Sequence, residues 1–228
     1  MKPEKIHVPW KPCAYFLMAL ALAVAAAPGP ASADKAGRFD YYALTLSWSP
    51  TYCLSDAGRN DRRQCGAARR YSFVVHGLWP QFERGWPQNC RGAKRYVPNR
   101  VIQSMLDIMP SKRLVIHEWR KHGTCSGLSA KAYFNATREL FARIKIPARY
   151  ITPTRPVVTS PQQLVGDFVK TNPWLTPGML SVQCGNRRDR ANLRGLRICF
   201  TRDFKARRCG ANEKRRCRAN RLVMPPVR

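Results

Sequence analysis

The sequence predicts an α+β fold: a single domain with a central antiparallel sheet, helices packed against it, and disulfides stapling the chain. Three observations point there. Short β-rich runs recur towards both ends of the chain, at Tyr41–Trp48 (YYALTLSW) and at residues 72–78, 179–184 and 193–200. Segments with apolar residues near helical spacing fill the middle. Eight cysteines remain once an N-terminal leader is set aside, and an even count behind an export signal implies an oxidising compartment and four disulfides.

Residues 1–33 read as a secretory signal. Lys2, Lys5 and Lys11 precede an apolar run over residues 13–27, and Ala31-Ser32-Ala33 offers a small-residue cleavage site before Asp34. A membrane anchor is the competing reading, but the run falls short of the roughly 20 residues a span needs, and Pro28-Gly29-Pro30 breaks it. Export to the periplasm or medium is expected, and the alanine-rich leader suits a bacterial source. The leader would take Cys13, three of the 41 Lys and Arg residues and one of the 13 Asp and Glu, so most of the formal charge of +28 stays on residues 34–228. Such a surplus concerns partners rather than fold, and points to polyphosphate backbones and to an anionic envelope or membrane surface. The mature chain is long enough for one domain with its own core. It shows no internal repeat, low-complexity segment or interdomain linker.

The elements follow in order. Tyr41–Trp48 alternates well enough for a strand, and residues 72–78, centred on Phe73-Val74-Val75, form a second. Residues 55–70 are polar, contain glycine and are bracketed by Cys53 and Cys65, which reads as a stapled loop. Residues 98–109 read as a helix with Pro98 near its first turn and Pro110 ending it. A central helix lies within the stretch 114–125, with Gly123 as its stop. Ser129 is an N-cap for a helix to about residue 144, in which Tyr133, Phe134, Leu140, Phe141 and Ile144 supply apolar positions. Residues 146–161 are proline-rich and read as a loop. Ser160-Pro161 then opens a helix to residue 170, ended by Asn172-Pro173. Strands at residues 179–184 and 193–200 are joined by a basic turn, residues 185–190. Residues 202–221 are crowded with charge, and Cys209 and Cys217 argue that this run is tied down rather than a free tail.

Chemistry concentrates in the central helix, LVIHEWRKHGTC. At about 100° per residue, His117, Glu118, Lys121 and His122 fall in one contiguous sector. Glu118 with His122, and His117 with Lys121, are i,i+4 pairs, which makes an acid/base and anion-handling surface. A solvated charged face is the bland alternative. Of four histidines, His7 lies in the leader, and the other three sit in two short motifs. A chain this rich in Lys and Arg has no need of histidine for charge, whereas chemistry at about pH 5 to 8 has. A zinc site of the zincin type requires histidines at i,i+4, and His117 and His122 are five apart, so no metal is expected. In the second motif, FVVHGLWPQ, His76 stands where a β-rich run gives way to Gly77, with Trp79 three residues on. Gly77 and Pro80 suggest a backbone turning out of the sheet and presenting His76 and Trp79 at a surface.

Together the two motifs closely resemble the paired active-site motifs of the ribonuclease T2 family, secreted endoribonucleases that need no metal. The resemblance extends to Trp48-Ser49-Pro50-Thr51-Tyr52-Cys53, to Asn89-Cys90 and to the spacing of the last four cysteines, and is weakest in the basic C-terminal run. It implies His122 as the base that takes the 2′-hydroxyl proton and His76 as the acid for the departing 5′-oxygen. It places His117 on the phosphate, with Glu118 and Lys121 supporting the transition state, and products pass through 2′,3′-cyclic phosphates to 3′-phosphates. The RNA supplies the nucleophile, so no cofactor or activated serine or cysteine is implied. Trp79 would offer a stacking face, and Gln81 stands where some family members carry an aspartate for a purine edge, so broad specificity on single-stranded RNA is expected. Phe82 and Trp86 are either further base contacts or packing. The family pairing joins Cys90 to Cys125, Cys184 to Cys217 and Cys199 to Cys209, with Cys53 to Cys65 as the remainder. RNA is the expected partner and a monomer the expected state. The alternative is a basic protein that binds nucleic acid or membranes by charge alone, which leaves the three histidines unexplained. A cytotoxin and a scavenging nuclease would share this signature.

Overall fold

The computed structural model describes residue 1 and residues 34–66, 70–92, 94–185, 190–213 and 217–227. The expected signal peptide, apart from Met1, and most of the expected basic turn at residues 185–190 lie outside the described residues. Six strands form one sheet: β1 (Tyr41–Trp48), β2 (Phe73–Gln81), β3 (Val157–Thr159), β4 (Leu180–Cys184), β5 (Arg190–Phe200) and β6 (Arg221–Met224). Their order is β2-β1-β5-β6-β3, with β4 also paired to β5. All pairs are antiparallel except β5 with β6, which run parallel where Arg190 to Asn192 meet Arg221 to Val223. The sheet is therefore mixed rather than wholly antiparallel. The parallel strand comes from the basic C-terminal run, which the Cys184–Cys217 bond anchors at the end of β4, so the chain enters alongside the start of β5. The sequence does not announce β3 and β6, because 3 and 4 residues are too few to display alternation.

Seven α-helical segments accompany the sheet among the described residues: α1 (Ser49–Cys53), α2 (Asp56–Arg59), α3 (Arg62–Cys65), α4 (Asn99–Gln103), α5 (Lys112–Lys121), α6 (Ala130–Ala142) and α7 (Pro161–Thr171). The three longest start on serines whose hydroxyls accept from backbone N–H groups three residues on: Ser111 from Leu114, Ser129 from Ala132 and Ser160 from Gln163. Residues 55–66 are not the plain loop expected. Ser55 and Asp61 cap α2 and α3 in the same way, and the Cys53–Cys65 bond folds the short helices back on α1. The helix expected over residues 98–109 ends at Gln103. Beyond it Met105, Leu106 and Ile108 bond three residues back, tightening the chain into turns. That tightening brings the Ile108 carbonyl to the Val75 N–H on the outer edge of β2, capping an edge strand that would otherwise be open.

The core lies where Leu44, Leu46, Leu78 and Ile198 of the sheet meet Trp119, Tyr133, Phe134 and Phe168 of α5, α6 and α7, all fully or almost fully buried. Burying a side chain of this size contributes about 1.5–3 kcal/mol. A second, small cluster of Tyr41, Ala43 and Cys199 covers the other face of β1, so that strand is buried on both sides. Tyr133 ties α6 to the sheet, its hydroxyl donating to the Leu78 carbonyl at 2.7 Å and accepting from the Leu78 N–H. Four disulfides join Cys53 to Cys65, Cys90 to Cys125, Cys184 to Cys217 and Cys199 to Cys209, the pairs that the family resemblance implies. Among the described residues no helix is long and apolar enough to cross a membrane.

Candidate active site

The site begins with a bulge in β2. Thr45 pairs with Gly77 and Leu46 with Val75, so His76 is an extra residue without a partner on β1. In an unbroken strand His76 and Trp79, three residues apart, would point to opposite faces. The bulge shifts the phase by one, and the two rings meet edge-on with centroids 5.5 Å apart. The strand does not turn out of the sheet at Gly77 but continues to Gln81, and the bulge does the presenting. Ser47 on β1 holds the inner side of the imidazole, its Oγ 3.0 Å from His76 Nδ1.

Helix α5 packs against β2, the end strand of the sheet. Val115 and Trp119 turn to the core, and the Trp119 indole donates to the Lys94 carbonyl at 2.8 Å. Adjacent to Trp119, Glu118 reaches over Gly77. A β-carbon at residue 77 would overlap Glu118 Oε2 and crowd Trp79 Nε1, so glycine is what admits the carboxylate. Glu118 is 1% exposed; its Oε2 accepts from Trp79 Nε1 at 2.6 Å, and its Oε1 lies 3.3 Å from His76 Nε2.

The helix stops at Lys121, just before the expected stop at Gly123, with His122 as its C-cap and a 3₁₀ turn over Gly123–Cys125. The stop is enforced from outside. Asn89, in a left-handed conformation at φ 52°, donates its N–H to the Lys121 carbonyl at 2.8 Å, and the Cys90–Cys125 bond ties the same loop to the turn. His122 is thereby directed inward. It is 5% exposed and stacks on Trp79 with centroids 4.8 Å apart and planes 22° from parallel.

Burial sets the electrostatics of His122, holding its pKa down to about 4; the Glu118 charge opposes this, and Lys121, His76 and His117 add to it. The ring is therefore a neutral base at neutral pH. For Glu118 burial works against ionisation, but the hydrogen bond and charge of His76, the charge of His122 and the Trp79 N–H outweigh it, so the carboxyl sits below its ordinary range. His76, His117, Glu118, Lys121, His122, Trp79 and Gln81, each singled out from sequence, line one cleft of about 230 Å³.

Trp86 and Arg197 complete the cleft, and Arg197 was invisible in the sequence. It is one basic residue among 41, and only the pairing of β5 with β1, which sets Arg197 opposite Thr45, brings it to the site. The apolar residues on either side, Leu196 and Ile198, are the one sequence signal that Arg197 faces away from the core, and the structure buries both. Its guanidinium lies 4.5 Å from the Trp79 ring centroid, and its Nη1 is 2.9 Å from both oxygens of the fully buried Glu213. The expectation of Trp79 as a free stacking face changes accordingly. His122 and Arg197 already lie against the ring, and its N–H serves Glu118. Trp86, 47% exposed, is the open aromatic of the cleft, whereas Phe82 packs against the core. Gln81 is buried, donating to the Pro80 carbonyl and accepting from Asn212 Nδ2.

Residues 39–209 match the sequence pattern described as the Ribonuclease T2 family. The chain belongs to that family. It is 36% identical over 169 residues to a ribonuclease of Aeromonas hydrophila, covering 74% of this chain and 75% of that one. It is 32% identical over 182 residues to a probable ribonuclease of Haemophilus influenzae, covering 75% of this chain and 61% of the relative. An RNase-related protein from Calystegia sepium shares the fold, with a TM-score of 0.67 over 84% of this chain and 99% of that one at 22% identity. The family match ends at Cys209, so Asn212 and Glu213 lie beyond the matched residues, in the basic C-terminal run. Asn212 Nδ2 donates to the Phe82 and Gly85 carbonyls at 2.9 and 2.6 Å, and its Oδ1 accepts from the Gly85 N–H, which pins the loop leading to Trp86. In this T2-family chain, then, that run braces both Arg197 and the open aromatic.

Proposed function

We propose that this chain is an exported endoribonuclease that cuts single-stranded RNA by transphosphorylation, with His122 as base, His76 as acid and broad base specificity. The observation that carries the reading is the convergence of His76, Glu118 and His122 around Trp79, two imidazoles and a buried carboxylate from separate elements in one cleft. A neutral His122 is the form able to take the 2′-hydroxyl proton. Ser47 and Glu118 hold His76 at its two ring nitrogens and so fix the ring that protonates the departing 5′-oxygen. Lys121 and His117 at the rim supply cationic and hydrogen-bonding groups for the crowded phosphorane. The base of the nucleotide bearing the 2′-hydroxyl stacks on Trp86 rather than on the occupied Trp79 ring. Gln81, whose amide is engaged by the protein, imposes no strong purine preference.

The test is digestion of mixed RNA in EDTA between about pH 5 and 8, with the parent and its His76→Ala and His122→Ala variants, mapping product ends. Cyclic or 3′-phosphate ends from the parent, lost in both folded variants, support the reading. Intact RNA, or variants that cut as the parent does, would leave a basic protein that binds by charge alone. Export is tested separately, by the compartment in which the protein accumulates and by its mature N-terminus.

A further inference from the structure

We infer that a groove beside the cleft binds the RNA strand beyond the scissile bond through its phosphates, on the side of the departing 5′-oxygen, and so makes the enzyme selective for polymeric RNA. The inference rests on the ribonuclease reading. The groove, about 730 Å³, shares His76 and His117 with the catalytic cleft and none of its other lining residues. Arg62 and Arg63 of α3, on a segment clamped by the Cys53–Cys65 bond, form one wall, and Lys112 and Arg113 in the first turn of α5 form the other.

The four cations are exposed, and no described carboxylate lies within ion-pair distance of any of them. Arg138 pairs with Asp107 and Arg207 with Glu83, whereas no such pair forms among the described residues of the groove. The carboxylate that does line the groove, Asp61, is occupied: it accepts from the Tyr52 hydroxyl at 3.3 Å and from the Gln64 N–H at 3.2 Å. Cations in the first turn of α5, with no acidic residue beside them, also face the positive end of the helix dipole. Four unneutralised charges across a concave surface repel one another, and a chain of phosphates relieves that repulsion. The polarity follows from the two histidines. His122 lies on the cleft side with the 2′-hydroxyl, and His76, the acid for the 5′-oxygen, borders the groove, so the groove takes the strand 3′ to the cut.

The experiment uses strands with a single ribonucleotide in a deoxy background, extended progressively on the 3′ or the 5′ side. The expected result is a gain in kcat/KM of about tenfold or more with 3′ extension and less with 5′ extension. The double variants Arg62→Ala/Arg63→Ala and Lys112→Ala/Arg113→Ala, which test the walls separately, should each lose most of that gain. Each should also reduce the slope of log(kcat/KM) against log salt by about two for the long substrate. An all-deoxy strand, which cannot be cut, should bind the parent more tightly than either variant by fluorescence anisotropy. Length-independent cleavage by the parent, a gain only on the 5′ side, or variants that keep the parent's ratio of long to short substrate would overturn the inference. So would variants that lose binding to anionic lipid vesicles but keep the length dependence, since the groove would then serve a membrane surface. If the parent cuts no RNA, the ribonuclease reading fails, while the anisotropy comparison still decides whether the groove takes phosphates.

Discussion

Glu118 Oε1 lies 3.3 Å from His76 Nε2, and the carboxylate that carries it is 1% exposed. If His76 is the acid, as proposed, a buried charge this close to it is expected to act on the transition state rather than on ground-state binding. Glu118→Gln keeps the shape and an acceptor for Trp79 but removes the charge. Its kcat is expected to fall about 100-fold with KM moved by less than about threefold. A steady-state comparison on a defined oligonucleotide, with near-UV circular dichroism as a fold check, decides; an unchanged kcat would make Glu118 a structural acceptor only.

His122 links activity and stability to pH. With its pKa at about 4 against an ordinary 6.5, the acid limb of kcat/KM is expected near pH 4, leaving the enzyme active in mildly acidic medium. Below the ordinary value the unfolded chain binds a proton that the folded chain refuses. Stability therefore falls from about pH 6.5 to about pH 4 and this contribution is constant below that. Glu118, held below its ordinary range, contributes stability above that range that is lost as pH drops through its depressed value. Urea midpoints across this window should fall more for the parent than for His122→Asn; equal falls would acquit His122.

Gly77→Ala should destabilise the fold by about 1–3 kcal/mol and reduce cleavage, because the added methyl group meets Glu118 and Trp79 rather than open space. Gly166, inside α7 with nothing within 4 Å of a built β-carbon, is the contrast. There Ala should stabilise by about 0.5–1 kcal/mol and leave activity alone. Denaturant midpoints for both variants, with kcat, test the pair, and a Gly77→Ala enzyme as stable and active as the parent would refute the close approach.

Removing the fully buried Glu213 leaves the Arg197 guanidinium, mostly covered but 17% exposed on the cleft side, without its partner. Glu213→Ala is expected to cost about 3–5 kcal/mol, whereas the double change Arg197→Met/Glu213→Leu should recover much of that loss, since a buried pair is worth little against well-packed apolar groups. The same double variant reports on Trp79, whose fluorescence should change once the guanidinium over its ring is gone. A double variant as unstable as the single would mean that packed apolar groups cannot stand in for the ion pair, so that the charges themselves hold this part of the fold.

Local signals were legible where one short segment carried them whole. Serine caps at residues 111, 129 and 160 satisfy their own helices, so two helix starts were read directly and a third nearly so. Tyr41–Trp48 was read to its ends because it alternates over 8 residues. Residues 98–109 were misread because helix propensity cannot foresee that Ile108 is needed at the edge of β2. Arg197 and Ser47 stayed hidden for a related reason: neither belongs to a motif, and each reaches the site through strand pairing.

By itself the sequence determined which chemical groups this protein has to work with: three histidines, a glutamate and a lysine in two motifs, eight cysteines after residue 33 and a large positive charge. Those are properties of residue type and short spacing, fixed before any folding. Only the tertiary structure decided which of them act together and in what state. A single unpaired residue in β2 turned His76 and Trp79 to one face, a missing side chain at Gly77 let Glu118 between them, and burial under a disulfide-tied loop made His122 a neutral base. Phase along a strand, close approach and desolvation arise from packing between segments distant in sequence, and no local pattern encodes them.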